Sequence, residues 1–135
     1  MRAISATTPG QDPPFDATGV LAAVRLLEAA LQDPDPLAWV DHYTDDAVFD
    51  GGGEHAVEGR EALLAMAAAM RPLSSVSIRP LRTQGQGDLA VVWCAASWVS
   101  GDPADGSASA VDVRGLLCLR REHDGRWRVA LEHLG

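Results

Sequence analysis

The sequence has no apolar run approaching the roughly 20 residues that a bilayer-crossing helix needs, so no membrane span is expected. Its opening stretch, MRAISATTPGQDPPF, carries one arginine but no apolar centre, which argues against a secretory leader. Basic residues are few: 11 Lys and Arg stand against 19 Asp and Glu, a formal net charge of -8. Such a chain lacks the cationic clusters that favour a phosphate backbone or an anionic membrane surface, so neither nucleic acid nor membrane is an expected partner. Cysteine is scarce as well. Cys94 and Cys118 lie far apart in apolar, strand-like runs, which excludes a CxxC redox or zinc motif and fits reduced, buried thiols in a cytoplasmic protein. There is no GxSxG elbow for serine hydrolysis, and Gly51-Gly52-Gly53 lacks the Lys-Ser/Thr of a phosphate loop. No cofactor and no metal are expected.

What is present is the material of one domain: 135 residues, 47% hydrophobic and 22% charged. Residues 1–17, with Pro9, Pro13 and Pro14, read as a flexible arm ahead of a domain over 18–135. Val20, Val24, Leu27 and Leu31 recur at spacings of four, three and four, the signature of one buried helical face, with Thr18 as its expected cap. Asp33-Pro34 stops that helix, and Asp35-Pro36 starts a short second one through LAWVDHY. Ala47-Val48-Phe49 reads as a strand, and REALLAMAAAM as a third helix. From residue 73 the period changes: SVSIRPL, DLAVVWCAASWVS, SASAVDVRGLLCLRRE and RWRVALEHL alternate like strands, separated by the turn signals QGQGD, GDPADGS and HDG. The expected class is α+β, with three N-terminal helices packed on a strongly curved antiparallel sheet.

Four segments in order carry a resemblance: Tyr43-Thr44-Asp45-Asp46-Ala47-Val48-Phe49, the helix start Gly59-Arg60-Glu61-Ala62, the strand entry Gly87-Asp88-Leu89-Ala90-Val91-Val92, and Asp124-Gly125-Arg126-Trp127-Arg128-Val129 with His133 beyond it. Their order and spacing resemble the NTF2-like superfamily and, within it, the SnoaL-like group of polyketide cyclases and ketosteroid isomerase relatives. The resemblance covers roughly residues 18 to 135. It implies an NTF2-like (cystatin-like) cone with a hydrophobic pocket open at one end and a homodimer formed through the outer sheet face. It further implies proton-transfer chemistry on a small apolar molecule of polyketide or steroid type, in secondary metabolism. A non-catalytic hydrophobic-ligand binder and a dimeric interaction domain are the competing readings.

The isomerase relatives use an Asp base with a Tyr and a protonated Asp as oxyanion donors. Carried onto this sequence, the base position falls on Gly51, the Tyr position near Leu27 and the second Asp position near Leu117. Asp50 stands one residue short of the base position and would reach the pocket only through a bulge, since a one-residue offset flips a strand side chain. Strand parity and the family register turn Val111, Val113, Gly115, Leu117 and Leu119 inward. In the closing strand they turn Ala130, Glu132 and Leu134 inward and Trp127, Val129, Leu131 and His133 outward. Asp50 and Glu132, with Tyr43 and His133, are therefore the catalytic candidates, because a carboxyl group in an apolar cavity is tuned toward neutral pH. Leu27, Trp39, Phe49, Met66, Trp93, Val113 and Leu117 are the expected pocket walls, with Trp98 replacing Trp93 if its strand is bulged. His42, Asp45 and Asp46, with Glu54 or His55, have metal-ligand spacing, but a capped acidic helix end is the preferred reading. Arg114, Arg120, Arg121, Arg126 and Arg128 gather basic charge in the last third. A solvent face balanced by Glu122, Asp124 and Glu132 is the first reading of that cluster and an anionic ligand site the second.

Overall fold

The structure, a computed structural model, describes residues 15–51, 53, 55–70 and 73–135. The expected arm over 1–17 lies almost wholly outside these. Helix α1 spans Ala17–Ala30, α2 Pro36–Val40 and α3 Arg60–Ala69; strand β1 spans Tyr43–Asp50, β2 Val57–Glu58, β3 Leu73–Gln86, β4 Leu89–Ser100, β5 Ser109–Arg121 and β6 Trp127–Leu134. The strands form one curved, unclosed sheet in the order β2-β1-β6-β5-β4-β3.

Helix α1 buries Val20, Val24 and Leu27, the face given by their spacing. Its cap is Asp16, not Thr18: the Asp16 carboxylate accepts from the Gly19 amide at 2.9 Å. Asp16 also accepts from Trp127 Nε1 at 3.3 Å, and Phe15 meets the Trp127 ring edge-on, so the start of α1 is anchored on β6. Helix α2 is shorter than its sequence suggests, ending at Val40, and Tyr43 opens β1 instead of closing the helix. Val40, Leu63, Ile78, Val92, Leu117, Leu119 and Val129 join the α1 residues in one apolar core between the helices and the inner sheet face.

The sheet is mixed, which corrects the all-antiparallel expectation. β3-β4-β5-β6 is an antiparallel meander, but β1 runs parallel to β6. β4 and β5 pair without interruption from Leu89↔Arg120 to Ser100↔Ser109, so parity holds along both. Ala90, Val92, Cys94 and Ala96 face the core and Trp93 faces away. In β6 the ladder steps from Leu119↔Val129 to Cys118↔Leu131, leaving Ala130 as a bulge. That extra residue lets Val129 and Glu132 both point inward, three positions apart. Trp127 and Val129 are thus core residues, contrary to the uninterrupted alternation expected from sequence.

Candidate functional site

The β6 bulge decides which polar groups meet. Tyr43, at the entry to β1, lies in register with Val129 on the inner face; Phe49 and Leu117 flank Glu132 on the two neighbouring strands. Four residues before Tyr43, Trp39 of α2 sets its ring edge-on to the phenol, at 6.0 Å between centroids. Trp39 Nε1 donates to the Tyr43 hydroxyl oxygen at 3.0 Å, and the Tyr43 hydroxyl donates to Glu132 Oε1 in a short hydrogen bond. Indole N–H is only a donor, so the tyrosine oxygen must accept from it and send its own proton toward Glu132. The result is a directed chain, Trp39 to Tyr43 to Glu132.

Glu132 is 9% exposed and Tyr43 2%. Burial raises the Glu132 carboxyl from 4.5 to about 7, against the opposing pull of the Tyr43 hydrogen bond. Tyr43 is held well above the ordinary phenol value, first by burial and then by the neighbouring carboxylate. Among the described residues Tyr43 is the one hydrogen-bond partner of Glu132, and no fully buried side-chain oxygen there lacks one. Oε2 has no hydrogen-bond partner among the described residues. Cys94 shares this face; burial, then the charge of Glu132, pushes its thiol up to about 11, which leaves it a neutral wall and not a nucleophile. Cys118 lies on the opposite face, and both thiols are free.

Asp50 and His133 do not join this group. Asp50 pairs with His133 in the parallel ladder, one step beyond Phe49 and Glu132, so both side chains occupy the outer face. There Asp50 Oδ2 and His133 Nδ1 sit 3.2 Å apart, partly exposed. No bulge turns Asp50 inward, which corrects its expected place in the pocket. Of the expected walls, Leu27 and Leu117 are sealed in the core, and Phe49 and Met66 are partly buried against it. Trp39 borders a cavity of about 330 Å³ between the end of α1, α2 and α3, with Ala30, Leu31, Ala67, Met70 and Leu73. Val113 borders a separate groove at the far end of the sheet. Trp93 is not a pocket wall: it is 39% exposed on the outer face, beneath the guanidinium of Arg82. Trp98, by parity, shares the inner face without any bulge in its strand.

The metal-ligand reading also loses its helix, since Asp45 and Asp46 belong to β1. Asp46 accepts from Thr44 and Arg120, and among the described residues no three His, Cys, Asp or Glu converge; Glu54 lies outside them. Most of the late arginines are ion-paired: Arg120 with Asp46, Arg121 with Asp88, Arg126 with Asp41, and Arg128 with Glu122 and Asp124. No described helix is long and apolar enough to cross a membrane.

The sequence matches the SnoaL-like domain family over residues 23–130. No curated protein matches it. Among solved structures, a ketosteroid isomerase-like protein from Erwinia carotovora atroseptica superposes with a TM-score of 0.75 at 23% identity, covering 89% of this chain and 96% of that one. An NTF2-like protein with a cystatin-like fold from Novosphingobium aromaticivorans gives 0.73 at 16% identity, over 88% and 80%. An NTF2-like protein of unknown function from Pseudomonas putida gives 0.69 at 22%, over 87% and 84%. At these identities the likeness establishes the fold, which is NTF2-like and cystatin-like.

Proposed function

This chain belongs to the SnoaL-like domain family, and we propose that it binds a small, largely apolar molecule and moves a proton on it through Glu132. The observation that carries this reading is a single one: an inward carboxyl with one oxygen fixed by Tyr43, the other without a hydrogen-bond partner among the described residues, and burial raising its pKa to about 7. A general base is most effective when its pKa lies near the working pH. In the reaction class we assign, Glu132 Oε2 takes a proton from the carbon beside a ligand carbonyl. The C–H bond breaks, an O–H bond forms and the electron pair moves onto the carbonyl oxygen as an enolate. Returning the proton to a different carbon completes an isomerisation; expulsion of a β-hydroxyl, which leaves as water with the Glu132 proton, completes a dehydration; attack of the enolate carbon on a second carbonyl, whose oxygen takes that proton as its π bond breaks, completes a cyclisation. Tyr43 is a positioning residue, because it aims the carboxyl and is itself aimed by Trp39. A polyketide- or steroid-like skeleton in secondary metabolism is the substrate type we favour.

The test uses a steroid-sized β,γ-unsaturated ketone, followed by the ultraviolet absorbance of its conjugated isomer. The rate constant should rise with pH through about 7 as Glu132 ionises, and Glu132→Gln should lower it roughly a hundredfold to ten-thousandfold. Turnover by Glu132→Gln at the original rate would overturn the assignment. The non-catalytic alternative is favoured by the core burial of Leu27 and Leu117 and by the absence of a carboxylate from the family's base position at Gly51. Its signature is thermal stabilisation by the ketone, equal in both proteins and without turnover.

The partner we assign to the outer sheet face is a second copy of the chain. Val48, Leu131, Cys118 and Val91 form one apolar row there, and Leu116 and Trp93 extend it, with the helices all on the opposite side. Light scattering should give a dimer, and Trp93→Asp should shift it to monomer; a monomeric parent protein refutes the assignment.

A further inference from the structure

A second site stands on the outer face, away from Glu132 and independent of its role. The distal part of β3, β4 and β5 encloses a groove of about 550 Å³ bordered by Ser77, Arg79, Ala95, Ser97, Asp112 and Arg114. Register fixes how these are arranged. Arg79, Ala95 and Arg114 form one row across the three strands, and Ser77, Ser97 and Asp112 form the next. Alanine lies between the two arginines, so no long side chain stands between them in that row.

The chain has no lysine, so every fixed cation is a guanidinium, and the net charge is -8. In that acid excess Arg25, Arg120, Arg121, Arg126 and Arg128 all hold a carboxylate. Arg79 and Arg114 hold none among the described residues, and neither reaches Asp112 in an ion pair. Two arginines in one row, flanking a small residue and without a close ion-pair partner among the described residues, can together grip a planar oxyanion with paired N–H donors. Adjacent strands are about 4.8 Å apart, so the two arginine rows are separated by roughly 10 Å, a span that two such long side chains close around one carboxylate. Asp112 lies two residues along the strand, about 7 Å from that point, and offers acceptors to a hydroxyl or ammonium group.

We propose that this groove binds a small organic acid, its carboxylate held between Arg79 and Arg114 and a hydrogen-bond donor at its other end held by Asp112. Two arginines and one aspartate leave a single positive charge, which suits a monoanion better than a phosphate dianion.

The experiment is amide and arginine side-chain NMR of the full chain, titrated with 4-hydroxybenzoate, benzoate and inorganic phosphate, with light scattering on the same samples. 4-Hydroxybenzoate should shift the signals of Ala95, Ser97 and Arg114 and bind more tightly than benzoate, with phosphate weakest. The double variant Arg79→Ala/Arg114→Ala should weaken binding at least tenfold while amide signals away from the groove stay in place, showing an intact fold. Asp112→Asn should erase the preference for 4-hydroxybenzoate over benzoate. No localised shifts, shifts unchanged in the double arginine variant, or phosphate bound more tightly than the acids would each overturn the proposal. So would a double variant that changed only the oligomeric state, since the groove would then be a contact between copies.

Discussion

Glu132→Gln is expected to stabilise this protein at pH 8 by roughly 3 kcal/mol and to leave it little changed at pH 4, the value of displacing a carboxyl from 4.5 to about 7. Below about pH 4.5 Glu132 carries its proton in both the folded and the unfolded chain, so its burial costs no ionisation energy. Between about 4.5 and 7 the unfolded chain releases the proton and the folded one keeps it, so stability falls as pH rises. Above about 7 both forms are ionised and the penalty is complete. His42 works in the opposite sense in part of this range. Burial, then the charge of Arg126, lowers its imidazole below 6.5, so the stability it contributes is present at higher pH and fades as the solution turns acid. The measured quantity is therefore the difference between parent and variant unfolding free energies at each pH, from urea melts, in which His42 cancels. A difference that stays flat from pH 4 to 8 would show that Glu132 is an ordinary, solvated carboxylate and would remove the basis of the proton-transfer reading. Tyr43→Phe sharpens the same test: without the hydroxyl that favours the ionised form, the midpoint of the difference curve should move above that of the parent.

The sequence carried the helix face and most of the strand faces openly, because regular periodicity survives wherever the ladder is regular. Val20, Val24 and Leu27 are buried as spaced, and Val111, Val113, Gly115, Leu117 and Leu119 share the inner face of β5 as alternation requires. Trp93 faces outward, contrary to its expected place as an inner wall, because its neighbours Val92 and Cys94 claim the core side of the same strand. The closing strand failed halfway for a different reason. A bulge at Ala130 has no residue signature of its own, no glycine and no proline, and yet it moves Trp127 and Val129 inward while keeping Glu132 there. Tyr43, Glu132, Asp50 and His133 were all visible as candidates; that they separate into an inner pair and an outer pair follows from the parallel β1–β6 register, which no local pattern encodes. The Trp39 donor to Tyr43 has one local signal in the sequence, a spacing of four residues at the end of a short helix.

Leu27 supplies the other large effect. It stands near the position where the isomerase relatives place a tyrosine, and yet it is 2% exposed and packed among Val24, Val92, Leu117 and Leu119 instead of bordering an opening. Its truncation to alanine should cost about 2–5 kcal/mol, the combined loss of transfer energy and the cavity left in a core that collapses only partly. A side chain lining an open, solvated pocket would lose much less, because water already fills the space beside it. Chemical denaturation of Leu27→Ala thus separates two pictures of the interior: a loss below about 1 kcal/mol means the ligand space reaches α1, and a loss in the larger range means it stops short of α1. Leu27→Tyr completes the comparison by restoring the hydroxyl used by the relatives. In a sealed core the phenol is overpacked and its hydroxyl needs a partner, so the expected result is further destabilisation instead of new activity. The Glu132 carboxyl is then held from the α2–β1 side, by Trp39 and Tyr43, and not from α1.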